Sequence, residues 1–266
     1  MDSHSISPKK KLSFTRFIIG MLIGMPIEYF FLQPFLVSSI FKKRANECKN
    51  INDIVKLSYE MFRRFPFNAQ RAPYPFNYAG WTTRPSQVKE ELTNLLRIIQ
   101  RRQPERILEI GTAAGGSFFA FTKSSNPNAV IISVELLFSN SCCGYPVWKI
   151  PFYKSFKTRQ QKIFLLRKDS HALSTLSAVK KILGVQKLDF LFIDGDHTYD
   201  GVKKDFEMYS PLVHQGGLIA FHDICRHTVG FSEVNKFWSE VKDRYNHTEI
   251  VENPKQGWAG IGVLFV

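Results

Sequence analysis

Apolar and polar positions along this chain follow two rhythms, and the second half switches between them at regular intervals. RILEI (106–110), AVIISVEL (129–136), IFLLRKD (163–169), LDFLFID (188–194) and GGLIAFHD (216–223) are short apolar runs ending in polar or turn-forming residues, as buried strands do. Between them GGSFFAFTK, ALSTLSAVKKIL (172–183), GVKKDFEMYSPLV and SEVNKFWSEVKDRY (232–245) carry apolar residues at helical spacing. Strand and helix in alternation predict an α/β fold, Rossmann-like and doubly wound, with a mostly parallel seven-stranded sheet. The last two strands, HTEIV and GIGVLFV, are separated only by NPKQGWA. That is too little chain for a helical crossover, so they are expected to pair antiparallel.

Upstream, SQVKEELTNLLRIIQRR (86–102) predicts a helix capped by Ser86, with Val88, Leu92, Leu95, Leu96 and Ile99 on one face. INDIVKLSYEMFRRF (51–65) predicts another, capped by Asn52 or Asp53. PFNAQRAPYPFNYAGWTTRP (66–85) is rich in proline and aromatics and reads as a long loop of the kind that serves as a lid. The chain thus divides into an N-terminal helical extension (1–50), a helix with a lid loop (51–85) and an α/β domain (86–266).

Composition narrows this modestly. With 44% hydrophobic and 22% charged residues in 266, the chain is globular and large enough for one full core plus an appendage. A net charge of +13 points to an acidic partner: anionic lipid, a phosphate-bearing substrate or, less expected, nucleic acid. Cys48, Cys142, Cys143 and Cys225 are too few and too irregular for a disulfide framework, which implies a reducing, cytoplasmic setting. The apolar stretch 17–41 lies between Lys9, Lys10, Lys11 and Arg16 on one side and Lys42, Lys43 and Arg44 on the other. Its length suffices to cross a bilayer, but Glu28, Pro26 and Pro34 oppose spanning. It reads as a surface anchor holding residues 9–44 on an anionic membrane, or as an arm packing on its own domain or on a second copy in a homo-oligomer.

In such sheets ligands bind beyond the carboxyl ends of the strands. The first strand runs into Glu109, Ile110, Gly111, Thr112, Ala113, Ala114 and Gly115. The glycines permit a tight turn and close backbone approach, but the spacing is not that of a dinucleotide loop. Glu109 suits a cationic sulfonium ligand with an amino-acid end better than a pyrophosphate. Glu135 ends the second strand, where an acid accepts ribose hydroxyls, and Asp169 with Ser170 ends the third, placed for an adenine amino group. Asp194-Gly195-Asp196-His197 and His222-Asp223 end the fourth and fifth. Two oxygen-rich strand ends side by side suit a divalent cation such as Mg²⁺, which lowers the pKa of a bound hydroxyl while a base such as His197 removes its proton. HDICRH has no recognised zinc spacing.

RILEIGTAAGG, IISVEL, LLRKDSHA, FLFIDGDHTYDGVKKDFEMYSPLV, GGLIAFHDI and GWAGIGVLFV together resemble the class I S-adenosylmethionine-dependent methyltransferases over residues 86–266. Within that family they look like metal-dependent sugar O-methyltransferases and the cephalosporin-hydroxylase-like branch, whose insertion between strands two and three CGYPVWKIPFYKSF (143–156) is similar to. The resemblance implies that Glu109, Gly111, Thr112, Gly115 and Asp194 line the methyl donor, that Glu135 takes its ribose and that Asp169 and Ser170 meet its adenine. It implies a cation on Asp194, His222 and Asp223, with His222 where an acid is usual, and a base at Asp196 or His197. The expected activity is O-methylation of a hydroxylated small molecule or glycan. The competing expectations are a hydroxylase-like protein without methyl transfer and a non-catalytic adaptor for a membrane surface or nucleic acid.

Overall fold

The computed structural model describes residues 33–60, 85–136, 144–145, 147–228, 230 and 232–266. Seven strands form one sheet in the order β3-β2-β1-β4-β5-β7-β6. They are β1 (Arg106–Ile110), β2 (Val130–Val134), β3 (Lys162–Leu166), β4 (Leu188–Ile193), β5 (Val213–His222), β6 (Asn246–Ile250) and β7 (Ile261–Phe265). The first five are parallel, and β7 runs antiparallel to both β5 and β6. The switch in strand order between β1 and β4 brings the ends of those two strands together, the place where ligands bind in sheets of this kind.

The central strands β1, β4 and β5 bury both faces, so their successive side chains enter different cores. Ile107, Phe190 and Phe192 belong to one core with α3 (Lys89–Arg102), α4 (Gly116–Ser124) and α5 (Ile150–Lys154). Leu108, Leu191 and Ile193 belong to the other with α6 (Leu173–Leu183), α7 (Tyr199–Tyr209) and α8 (Val234–Val241).

Two expected caps are placed differently. α2 (Ile51–Glu60) is capped by Asn50, whose Oδ1 accepts from Asp53 N at 3.0 Å while Asp53 Oδ2 accepts from Lys49 N at 2.9 Å. Asp53 is therefore the third helical residue, reaching back to the residue before the cap, and not the cap itself. α3 begins at Lys89 with Val88 as its N-cap and no side-chain cap, so Ser86 lies outside the helix. The turn before it is used for the site instead. The lid loop 66–85, all but its last residue, lies outside the described residues, as does the end of the helix predicted over 51–65.

Of the apolar 17–41 stretch only the end is described, as the start of α1 (Gln33–Glu47). Phe41 is 1% exposed and meets Phe119 at 4.8 Å and Phe152 at 5.0 Å edge-on, with Phe156 at 5.0 Å. This part of the extension is an arm packed on its own domain. Among the described residues no helix is long and apolar enough to cross a membrane.

Candidate active site

The loop after β1 is built around three left-handed residues, Gly111 (φ +89°), Ala113 (φ +41°) and Gly115 (φ +85°). A Cβ at Gly111 would fall 1.9 Å from the Asp194 carbonyl oxygen, so only glycine lets β1 and β4 end this close together. A Cβ at Gly115 would strike the Tyr153 ring at 2.7 Å. Tyr153 in turn donates to the Ala113 carbonyl at 2.8 Å and supports the loop from the 143–156 insertion.

Glu109 is wholly buried. Its Oε2 accepts from Thr112 Oγ1 at 2.9 Å, and that hydroxyl also meets Ser133 Oγ at 2.7 Å. Its Oε1 makes no hydrogen bond. Burial pushes the carboxyl up to about 8, against the pull of the Ser117 and Thr112 hydroxyls. Glu135 Oε2 accepts from Ala113 N at 2.6 Å. Burial raises this carboxyl to about 7 even with the Ala113 and Thr112 amides opposing it. Two buried acids thus flank the loop after β1.

Further along the sheet edge, Asp169 is exposed and its Oδ1 accepts from His171 N at 2.8 Å, while the Ser170 carbonyl accepts from Tyr209 OH at 2.7 Å. Both therefore sit at the mouth between β3 and α6, where the sequence placed them.

At the ends of β4 and β5 the structure assembles a dense polar cluster. His222 Nδ1 lies 3.1 Å from Asp194 Oδ1 and 3.3 Å from Asp223 Oδ1. Burial pushes its imidazole down, but the Asp194 and Asp223 carboxylates outweigh that and hold it up at about 9. His197 Nδ1 lies 2.7 Å from Asp223 Oδ2 and its Nε2 lies 3.6 Å from Asp194 Oδ1. Burial opposes its protonation too, and Asp223 with Asp194 again raises its pKa above the ordinary value. His197 is 33% exposed, while Asp194 and Asp223 beneath it are 10% and 6% exposed. Asp223 has φ +64°, a costly conformation for a non-glycine residue, and it turns the carboxylate back toward His197. The ligand atoms that converge within 4.8 Å are those of Asp194, His197 and Asp223, so His197 takes the third place that sequence reading assigned to His222. Asp196 is exposed and its Oδ1 accepts from Thr198 N and Oγ1 at 2.9 and 2.8 Å, a turn that starts α7. Of the two expected bases only His197 joins the cluster.

Two residues here escaped the sequence reading. Gln87 Nε2 donates to Asp194 Oδ2 at 2.6 Å. Glu91, fully buried, accepts from Glu252 N at 3.1 Å, Gln256 Nε2 at 2.8 Å and Gly260 N at 3.0 Å. The 252–260 loop then pairs with the segment after β5 through Ile224 N to Gly260 O (3.3 Å), Cys225 N to Ala259 O (2.9 Å) and Thr228 N to Gly257 O (3.1 Å). The signal was present for Glu91, one turn before Leu95 on the same helical stripe; Gln87 lies in the turn before the helix.

A parallel sheet ordered in this way, with a reversed last strand and a glycine loop flanked by acids after β1 and β2, is the class I S-adenosylmethionine-dependent methyltransferase fold. Residues 108–224 match the model of a methyltransferase domain family. An O-methyltransferase from Bacillus cereus, solved with S-adenosylhomocysteine, superimposes with a TM-score of 0.53 at 14% identity, covering 88% of this chain and 100% of that one. An O-methyltransferase assigned as such from Klebsiella pneumoniae superimposes at 0.51 with 16% identity, covering 80% and 89%. At these identities the likeness concerns the fold. By sequence, 150 residues are 27% identical to the uncharacterized protein y4gI of Sinorhizobium fredii, covering 54% of this chain and 16% of that protein. A further 36 residues are 53% identical to the uncharacterized protein R132 of Acanthamoeba polyphaga mimivirus, covering 14% of this chain and again 16% of the relative.

Proposed function

We propose that this methyltransferase transfers the methyl group of S-adenosylmethionine to a hydroxyl oxygen of a small molecule or glycan, with His197 as the general base. The observation that carries this reading is the His197–Asp223 contact at 2.7 Å, held beside the donor loop through Asp194. The donor supplies an electrophilic methyl carbon on a sulfonium. The chain holds it, through Glu109 and the Gly111–Gly115 loop at the amino-acid end, Glu135 at the ribose, and Asp169 and Ser170 at the adenine. Asp223 accepts from His197 Nδ1–H, so in the neutral ring Nε2, on the Asp194 side, is the nitrogen that takes the proton. The acceptor oxygen attacks the methyl carbon, the carbon–sulfur bond breaks, S-adenosylhomocysteine leaves, and the hydroxyl proton passes to Nε2. The methyltransferase neighbours and the orphaned Glu109 Oε1 support donor binding.

A second reading rests on the convergence of Asp194, His197 and Asp223. Two carboxylates and an imidazole are a fitting donor set for a divalent cation, and these three residues would hold it; bound there it would acidify the acceptor hydroxyl. His197 would then be a ligand, not the base, so the two readings exclude each other.

Calorimetry with S-adenosylhomocysteine tests the donor site: Glu135→Ala should weaken binding by about 1–3 kcal/mol through the lost charged hydrogen bond. Incubation of the protein with labelled donor and a metabolite extract tests the transfer. The labelled product should be a methyl ether; label on nitrogen or carbon would sink the O-methyl reading.

A further inference from the structure

The positive charge of the chain is concentrated along one edge of the fold. Between Val147 and Lys168 there are seven Lys or Arg residues and no Asp or Glu. This stretch runs through α5 and β3, the strand at one end of the sheet order. Lys154, Arg159, Lys162 and Lys168 on it are exposed. α1 adds Lys42, Lys43 and Arg44, all exposed, against one acid, Glu47. The two stretches adjoin, because Phe41 of α1 packs on Phe152 of α5 and on Phe156 just beyond it.

The cations of this band are unpaired. At the other end of the sheet, around α8 and β6, Lys236, Lys242 and Arg244 meet Glu233, Glu249 and Glu240 at 2.5, 2.8 and 3.0 Å. None of the exposed cations of α1, α5 and the β3 edge forms an ion pair among the described residues. Burial holds the Lys123 ammonium of α4 below its ordinary pKa, and Lys42 nearby lowers it further. Like charges gathered without counter-charges repel one another, and an anionic partner relieves that repulsion. Ile40 and Phe164, 42% and 37% exposed, add apolar surface to the same two elements.

A second copy of this chain on the band would set like charge against like charge. The phosphates of a nucleic acid would answer the charge but not the chain that leads into the band. α1 is preceded by FIIGMLIGMPIEYFFL (17–32), in which Glu28 is the one charged residue, and Lys9, Lys10, Lys11 and Arg16 come before that. An anionic lipid surface answers both features: its headgroups take the Lys and Arg side chains, and its acyl boundary takes apolar chain.

We propose that the band formed by α1, α5 and the β3 edge is a docking surface for an anionic lipid membrane. The inference is independent of the methyl-transfer reading, since it concerns where the protein sits and not what it transfers.

The test is flotation of the full chain with vesicles of phosphatidylcholine, with and without phosphatidylserine. Wild type should float with the phosphatidylserine vesicles and far less with phosphatidylcholine alone. Lys154→Glu, Arg159→Glu and Lys162→Glu together should lower partitioning by roughly a hundredfold or more, at about fivefold for each basic residue lost. Lys180→Glu, Lys181→Glu and Lys187→Glu make an equal change of charge on and just after α6, which packs in the other core. Outside the docking surface that change is screened, and partitioning should fall by less than about tenfold. Equal losses in the two variants would show that net charge alone is sensed, and equal flotation with both kinds of vesicle would assign binding to the apolar run; either overturns the proposal. Failure of wild type to float overturns it too, and binding of a single-stranded oligonucleotide in its place, lost in the first variant, would give the band to nucleic acid. Should the first variant fail to fold, as read by thermal unfolding, Lys154→Gln, Arg159→Gln and Lys162→Gln carry the same comparison.

Discussion

The Glu91 carboxylate accepts a hydrogen bond from the backbone of Gly260 at 3.0 Å, joining the helix before the sheet to the loop before its last strand. Through Gly260 and Ala259 that loop holds Ile224 and Cys225, immediately after the site residues His222 and Asp223. One buried carboxylate thereby fixes the segment that carries half of the polar cluster. Glu91→Ala leaves three donors without their acceptor. It should lower stability by about 2–4 kcal/mol in urea unfolding, more than a single charged hydrogen bond is worth. A loss under about 0.5 kcal/mol, the range of ordinary surface changes, would refute this anchoring role.

His197→Ala should lower the methyl-transfer rate by roughly 10²–10⁴-fold, the usual contribution of a positioned base. The neutral imidazole is the active form, and Asp223 with Asp194 raises its pKa. The rate should therefore climb with pH through a value above the ordinary histidine value of about 6.5. In Asp223→Asn that ascending limb should move to lower pH. A limb that stays in place in both variants would assign the titration to another group.

Chelation separates the two readings of the cluster. If His197 is the base, EDTA should leave turnover unchanged and dialysed protein should need no added cation. Abolished turnover, restored by Mg²⁺ or Mn²⁺ with donor affinity unaltered throughout, would instead establish the cation on Asp194, His197 and Asp223.

His222 contributes to stability in a pH-dependent way. Its folded pKa of about 9 lies above the unfolded value of about 6.5. The stabilisation is therefore complete below pH 6.5 and lost as pH rises through 9. The stability gap between wild type and His222→Gln should be widest near pH 6 and close by about pH 10. A gap independent of pH would mean that the ring is neutral and acts by packing alone.

Phe41→Ala empties a site formed by Phe119, Phe152 and Phe156. It should cost about 3–5 kcal/mol, as for other large-to-small changes at buried aromatics. A protein shortened to begin near Asn50 should lose at least as much. Unchanged thermal unfolding in both would show that the arm does not pack on the domain in solution.

The strands, the helices between them and the reversed end of the sheet were legible in the chain because local rules govern them: apolar runs, helical spacing and a connection too short for a crossover. The placement of the glycine loop and of Glu109, Glu135 and Asp194 along one edge of the sheet was legible for a related reason, since each lies at the end of a strand. What the order of residues does not encode locally is which side chains meet across the sheet edge. Asp196 and His197 are adjacent in sequence, yet the turn at Thr198 takes the first carboxylate and leaves the imidazole to Asp223, 26 positions away. Glu91 is a polar residue on an apolar helical stripe and Gln87 lies in the turn before that helix, and only packing shows that Gln87 grips Asp194 and Glu91 the loop before β7. His222 occupies a ligand-like position in the sequence, but its ring lies between two buried carboxylates as their hydrogen-bonding partner. Element type is set over a few residues by backbone sterics and solvent avoidance. Partner choice among buried charges is set by which groups the closed fold removes from water together, and that is a property of the tertiary structure alone.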